Sequence, residues 1–434
     1  MLLIKYFERT SAWEEKMATS AAAAKACPFS DASVDFHPFD LADPFPFYEW
    51  ARHQAPVFFS PELNYFVVAR YADIKAVFDD WKTFSSENAQ APLRPIGEEA
   101  RRIMREGGFT AYSGLSARVP PDHTRIRKLV QGCFGVRRFR AIEPQIRQIV
   151  TQAIDAIIQK GEADFFREFA YDVPALVLFK LVGVPDADVP KVKSWGVSRS
   201  LLTWGSLSDQ EQVPHAHNMV EYWRYCQDLV RQRREHEGDD LPTDLLRDQK
   251  SGGKISDDEI AGVLYSVLFA GHETTTTLMA NGVRELLAHR DNWEALIADP
   301  SLIPSAVDEV LRYAPSIVAW RRKALKDTSI AGVALPQGSN ILLLLGSANR
   351  DQTVFADAQH FDVQRKDARK HLAFGYGIHT CVGQQLAKIE FTIALEELVR
   401  RMPDLRLKPD QKFEFAHNSS FRVLTALHVE WKAA

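Results

Sequence analysis

The chain has 434 residues, 46% hydrophobic and 25% charged, an ordinary globular mixture that excludes a disordered, collagenous or coiled-coil protein. With 53 Lys+Arg against 57 Asp+Glu the formal charge is −4, so no global electrostatic drive favours nucleic acid or an anionic membrane. The four cysteines, Cys27, Cys133, Cys226 and Cys381, form no CxxC pair and no disulfide framework, which suits a reducing, cytoplasmic compartment.

The opening Met1-Leu-Leu-Ile is cut short by Lys5 and is no signal-peptide core of about 7–15 residues. No run of about 18 apolar residues predicts a membrane span. Residues 18–26 are Ala-rich and read as part of a flexible leader over 1–38. A single domain is expected over 39–434, starting where Pro and aromatic residues cluster. Residues 56–80 predict two short strands around the turn Pro61-Glu-Leu-Asn64, then a helix from Tyr71. Residues 85–118 are polar and Gly-dotted and predict loops. Residues 122–235 carry amphipathic helical spacing with breaks expected at Pro185 and Pro214, and 236–254 read as a charged link.

The segment 255–289 predicts the central helix. Ser256 and Glu259 have capping-box spacing, and apolar residues surround the middle, as in a helix buried on nearly all sides. Within it stands Ala270-Gly271-His272-Glu273-Thr274-Thr275. A Gly followed by hydroxyl residues weakens a helix ladder and invites a kink. A short helix is expected at 304–313, strands at 328–345 and 421–431, and a long helix over 382–402. The sum is mainly α with a smaller β part.

The strongest single feature is Phe374-Gly375-Tyr-Gly377-Ile-His379-Thr-Cys381-Val-Gly383. A cysteine opening a helix is biased toward thiolate by the helix dipole and free N–H groups. The glycines let the backbone press against something flat, and a thiolate so held suits a haem iron. A lone cysteine is usually an inert buried thiol; the Phe, the His and three glycines at fixed spacing reverse that reading.

In this Phe-x-x-Gly-x-His-x-Cys-x-Gly pattern the sequence resembles the cytochrome P450 haem-thiolate monooxygenases. The resemblance spans about Pro44 to Trp431, with Ala270–Thr275, Glu309-x-x-Arg312, Ala348-Asn-Arg-Asp and Phe361-Asp-Val-Gln-Arg365 in the family's order. It implies the family's triangular prism of helices around a buried haem b, with Cys381 as iron ligand. Ala270, Gly271, Phe374, Gly375 and Gly383 would border the haem. His123, Arg127, Arg322 and His379 would meet the propionates, Arg322 being favoured over its neighbour Arg321. Glu273 and Thr274 would deliver protons for O2 activation, with NAD(P)H-derived electrons arriving through a partner.

Phe59-Ser-Pro-Glu-Leu-Asn-Tyr65, Trp204-Gly and Glu211-Gln-Val are most similar to bacterial haem domains fused to FMN/iron–sulfur reductases. No reductase signature follows in this chain, so a ferredoxin or FMN/iron–sulfur reductase, separate or from a fused domain outside it, is the expected partner. Basic residues gather where the family places its cysteine-side face: Arg125, Lys128, Arg137, Arg138, Arg140, Lys366, Arg369 and Lys370. Each taken alone reads equally as a solvated charge.

Leu201, Trp204, Ile317, Val318 and Phe421, with Phe109, Tyr112, Leu202 and Ala270, are the substrate-pocket candidates; ordinary core is the competing reading for each. The set has no counter-ion and suits a small or medium apolar or aromatic substrate, undergoing hydroxylation or O-dealkylation. Two rival readings are a peroxide-driven peroxygenase, which the Glu273-Thr274 pair argues against, and a non-catalytic haem sensor. Neither a nucleic-acid nor a membrane partner is expected.

Overall fold

The computed structural model describes residues 35–110 and 114–433. These are 54% helix and 9% strand, the expected mainly-α fold with a small β part. Phe36 is already packed against Phe47 and Phe58, three residues ahead of the expected start at Phe39.

Helix α1 (Phe45–Gln54), strands β1 (Val57–Ser60) and β2 (Tyr65–Val68) and helix α2 (Tyr71–Asp79) follow the predicted pattern, and β3 (Phe84–Ser85) comes next. The stretch expected to be loop contains α3 (Glu98–Glu106). Its sequence Glu-Glu-Ala-Arg-Arg-Ile-Met-Arg-Glu carries Ala100, Ile103 and Met104 at helical spacing, a short apolar stripe that the surrounding charges mask. Helices α4 (Asp122–Cys133) and α5 (Val136–Ile157), strand β4 (Glu162–Asp164) and helices α6 (Val173–Val182), α7 (Val189–Trp204) and α8 (Asp209–Glu235) continue the chain.

The break expected at Pro214 does not occur, because α8 runs through it. The proline stands early in the helix, where it removes one i→i−4 bond, and the Ser208–Glu211 capping box holds the preceding turn. The expected link at 236–254 contains α9 (Leu241–Lys250), capped by the Asp240 side chain. The central segment is two helices, α10 (Asp257–Ala270) and α11 (Glu273–Ala288), separated at Gly271-His272. Next come α12 (Arg290–Ala298), α13 (Ile303–Tyr313), strands β5 (Trp320–Ala324), β6 (Thr328–Ile330), β7 (Val333–Leu335) and β8 (Asn340–Leu343), helix α14 (Gln384–Arg401), and strands β9 (Arg406–Leu407) and β10 (His428–Glu430).

The larger sheet has the order β1-β2-β8-β5-β3. β2 and β8 run parallel, and β5 is antiparallel to β8 with Arg322 opposite Ile341. One helical core spans residues Ala100 to Trp431 in sequence, and smaller clusters lie on either side of the sheet. Helix α10 packs on α8 and α7, while α11 packs on α6, α13 and α14. The Gly271 break therefore lies deep inside the molecule. There Leu178 of α6 approaches so closely that a Cβ at Gly271 would stand 2.7 Å from its Cδ2.

Helix α13 is tied to the segment before the cysteine loop by a fully buried ion pair. Glu309 and Arg312 meet in two contacts of 2.7 Å, and Arg365 reaches Glu309 at 3.2 Å. Arg312 also donates to the carbonyls of Asn349, Ala358 and His360.

Candidate functional site

The cysteine loop owes its shape to two left-handed glycines, Gly375 (φ 67°) and Gly377 (φ 72°), a conformation that costs other residues energy. A side chain at Gly377 is also barred by the Phe78 carbonyl, 2.9 Å from the position of a Cβ. The loop closes through the Cys381 amide, which donates to the Phe374 carbonyl at 2.9 Å. Burial pushes the Cys381 thiol up. The backbone amides of Gly383 and Gln384 and the Arg127 guanidinium pull against that, as donors facing an anionic sulfur must. Cys381 nevertheless keeps accessible surface although protein surrounds it on every side.

Around this loop, two further elements bring two arginines and a histidine to meet the loop's own histidine. His123 and Arg127 come from α4, Arg322 from β5, and His379 from the loop itself. The rings of His123 and His379 lie 4.1 Å apart, and His379 Nε2 is 3.1 Å from the Ser86 hydroxyl. Burial, then the charges of Arg322, His123 and Arg127, push His379 down to about 3. Burial, with Arg127 and Arg118, holds His123 at about 4. Burial alone lowers Arg322 to about 9.

Strand alternation decides between the two neighbouring arginines. Arg322 faces this cluster, with its guanidinium 4.7 Å from the Phe78 ring. Arg321 faces the other way, donating to the Ala89 and Ala91 carbonyls beside Trp204. Among the described residues no carboxylate contacts His123, Arg127 or Arg322, and both ring nitrogens of His123 and Nε of Arg127 lack a hydrogen-bond partner. Two residues that the sequence did not single out belong to this cluster, Ser86 and Arg118. Arg118 is buried, and pairs with Asp122 and with Glu259 at 3.4 Å. Neither lies in a recognisable spacing, so nothing in the sequence marks them.

At the helix break the threonine hydroxyls turn back onto their own helix. Thr274 donates to the Ala270 carbonyl at 2.8 Å and Thr275 to that of Gly271 at 3.1 Å. Ala270 is exposed and Thr274 half-buried although neighbours such as Leu268 and Met279 are fully buried; the two share a helix face. Glu273 points elsewhere, toward α7. Its Oε1 lies 3.2 Å from His272 Nε2, and a Cβ at Gly196 would stand 3.5 Å from it. Its charge is also felt by Lys193, which is buried, lowered by that burial, and paired at 2.5 Å with the exposed carboxylate of Asp172.

The aromatic candidates form one cluster. Trp204 stacks on Phe269 at 5.5 Å and on Trp320 at 6.1 Å, and meets Phe421 edge-on at 4.8 Å. Ile317 pairs with Phe421 in a β-bridge. Leu201 and Ile317 keep surface, while Val318 is fully buried and packs toward Gly346. Phe109 instead packs against Trp223 and Tyr265, and Tyr112 lies outside the described residues. The expectation of a set without a counter-ion is not met: Arg199 of α7 is buried beside Phe269, 4.9 Å from its ring. Helical spacing placed it among core residues and concealed it.

The family model Cytochrome P450 matches residues 293–426. Cytochrome P450 107B1 of Saccharopolyspora erythraea is 36% identical over 348 residues, 80% of this chain and 84% of the relative. The chain belongs to the cytochrome P450 family. Among solved P450 structures, cytochrome P450 CREJ in complex with (4-ethylphenyl) dihydrogen phosphate is 52% identical, with TM-score 0.90 over 92% of this chain and 99% of that one. An intact type IV self-sufficient cytochrome P450 monooxygenase is 35% identical, with TM-score 0.88 over 92% of this chain and 53% of that one. This P450 is an oxidoreductase whose family uses haem b, O2 and electrons from NAD(P)H delivered through redox partners. The residues present fit that group. The Arg127 and Arg322 guanidiniums, removed from water without acid partners, are costly unless anions meet them, and two propionates would supply these while the His123 and His379 rings offer further hydrogen bonds. No helix of the described residues is long and apolar enough to cross a membrane.

Proposed function

We propose that this P450 hydroxylates a small aromatic substrate at a haem held by Cys381, with electrons from a ferredoxin or flavin reductase. The observation that carries this reading is the convergence beside Cys381 of the guanidiniums of Arg127 and Arg322 with His123 and His379, none of which meets a carboxylate among the described residues. His123, Arg127, Arg322 and His379 would hold the propionates. Phe374, Gly375 and Gly383 shape the loop that presents the sulfur, and exposed Ala270 offers only a methyl group on the central segment, while Gly271 makes room for Leu178 behind it. Bound haem supplies O2 activation and the oxidising chemistry, with thiolate ligation favouring O–O cleavage.

The chain's own task is proton management and positioning. Thr274 Oγ1, on the face it shares with Ala270, holds a proton at the oxygen site. Glu273, turned toward Lys193 and the exposed Asp172, connects that hydroxyl to solvent. The CREJ structure holds an aryl ester, which supports an aryl substrate, while the Trp204, Phe269 and Phe421 cluster is buried and would stiffen the wall behind the half-buried Leu201 and Ile317.

Electron entry is proposed on the cysteine side. There Trp81, Pro121, Lys128 and Ile378 line an open cleft. Arg125, Arg138 and Arg369 are already paired with acids. Lys128, Lys366 and Lys370 are exposed and form no ion pair among the described residues, while the side chains of Arg137 and Arg140 lie outside them. An acidic partner would meet those lysines.

The test is turnover of 4-ethylphenyl compounds with a ferredoxin reductase system, NADPH and isotopically labelled O2. Label in the product, dependent on reductase, supports the reading. Unlabelled product, or equal turnover on peroxide alone, would instead favour the peroxygenase.

A further inference from the structure

We propose that His272 is the proton store of the relay: its Nε2 and the Glu273 carboxyl hold one proton between them in the resting protein and release it toward Thr274. The inference rests on the Glu273–Thr274 relay proposed above and adds the group that keeps it loaded between turnovers. His272 acts through Glu273.

His272 is 1% exposed and stands in the break between α10 and α11. Its Nδ1 meets the Leu268 carbonyl. A carbonyl only accepts, so Nδ1 carries the ring proton of the neutral imidazole, and Nε2 is left with a lone pair. That nitrogen lies 3.2 Å from Glu273 Oε1. Both atoms are buried, and neither has a hydrogen-bond partner among the described residues. Two acceptors so close repel each other, and leaving both unpaired in the interior is costly. One added proton turns the contact into a charge-assisted hydrogen bond, either imidazolium with carboxylate or imidazole with carboxylic acid. Helix α7 accommodates the pair, because Gly196 has no side chain there. A Cβ on Gly196 would stand 3.0 Å from His272 Cε1 and 3.2 Å from Nε2. Phe179 of α6 meets the ring edge-on from another side, at 5.1 Å.

The other titratable groups near the pair are Tyr171 and Asp172 from the turn before α6, Lys193 from α7 and Tyr222 from α8. Burial above all pushes the Tyr171 and Tyr222 phenols up, and the Glu273 charge adds to it, so both keep their protons. Lys193 is already paired with Asp172 at 2.5 Å. His272 is therefore the group placed to share a proton with Glu273. In turnover the proton at Nε2 passes to Glu273 Oε1, and rotation of that side chain carries it from the α7 side to Thr274 Oγ1. His272 is then a neutral imidazole and Glu273 a carboxylate again. One proton from solvent, entering on the Asp172 side, restores the pair, and no electron moves in the step.

The experiment is nuclear magnetic resonance of the haem-loaded protein labelled with nitrogen-15 at histidine, reduced and CO-bound so that the iron is diamagnetic. The His272 signals are those missing from His272→Gln. At neutral pH the wild-type Nε2 is expected in the protonated range or in the intermediate range of a shared proton, and Glu273→Gln should shift it toward the unprotonated range. A wild-type Nε2 in the unprotonated range, or one that Glu273→Gln does not move, would overturn the proposal. These spectra need no substrate. Product per NADPH from 4-ethylphenol, followed across neutral and alkaline pH, is the second readout. In the wild type it should fall as rising pH empties the pair. His272→Gln offers Glu273 an amide donor but stores no proton; it should be about tenfold lower at neutral pH and show no such fall. Gly196→Ala keeps both partners and presses on the ring; it should lower the yield too, and decides the matter if His272→Gln does not fold. Wild-type yields in His272→Gln at every pH, with a loss in Glu273→Gln, overturn this inference alone. Full yields in Glu273→Gln as well overturn the relay reading along with it.

Discussion

At the scale of single residues, Thr274 and Glu273 are adjacent in sequence yet face different surroundings. Thr274 shares a face with exposed Ala270, whereas Glu273 meets His272 and α7. Removing the hydroxyl should therefore interrupt proton delivery without loosening the fold. Thr274→Ala is expected to retain haem and NADPH consumption while product per NADPH falls about tenfold or more, in the range of general acid–base effects. Full coupling in that variant, measured as product against NADPH, would refute the relay. A second residue gives a pH signature. His371 is buried against Phe374, 4.0 Å from Asp308, and burial holds it down to about 4. The folded histidine stays neutral where the unfolded one, near 6.5, takes up a proton. Its contribution is thus present above pH 6.5 and lost as pH falls toward 4, on the order of 2 kcal/mol across that window. Melting temperatures should decline over that range, and His371→Asn should flatten the decline; an unchanged slope in the variant would count against the assignment.

At the scale of elements, much of the architecture was legible because periodicity and punctuation agree. The strand pair around Pro61, the capping box at Ser256 and the Gly271 break all stand where the residues imply. Helices α3 and α9 were missed although Ala100, Ile103, Met104 and Leu241, Leu245, Leu246 stand at helical spacing, because each apolar stripe is only two turns long and set among charges. The Pro214 break failed because a proline near a well-capped helix start costs little. The site was legible where spacing carries chemistry, as at Cys381, His123 and Arg322. It was hidden where distant segments converge, as for Ser86, Arg118 and Arg199. The Glu309–Arg312–Arg365 cluster tests how elements are held together. The Glu309–Arg312 pair is fully buried, so Glu309→Gln would leave Arg312 without its anion, a loss expected to cost about 3–5 kcal/mol. The variant should yield little haem-loaded protein and a much lower melting temperature; near-native melting would show that α13 is anchored by other contacts.

At the scale of the whole molecule, segments separated by some 250 residues, from His123 to Cys381, meet around one buried cationic centre. The helical core also contains the Gly271 break of the central segment, and aromatic residues from α7, α10 and the C-terminal segment form a small buried cluster of their own. The near-neutral net charge is thus an average over an interior rich in cations and an exterior rich in ion pairs. Every proposed role depends on the sulfur of Cys381 being the haem's ligand. The absorption spectrum of the reduced, CO-bound protein tests this directly. The account predicts the red-shifted Soret band of thiolate ligation in the wild type, and its loss in a Cys381→Ala variant. A wild type without that band, or a variant that keeps it, would contradict the account.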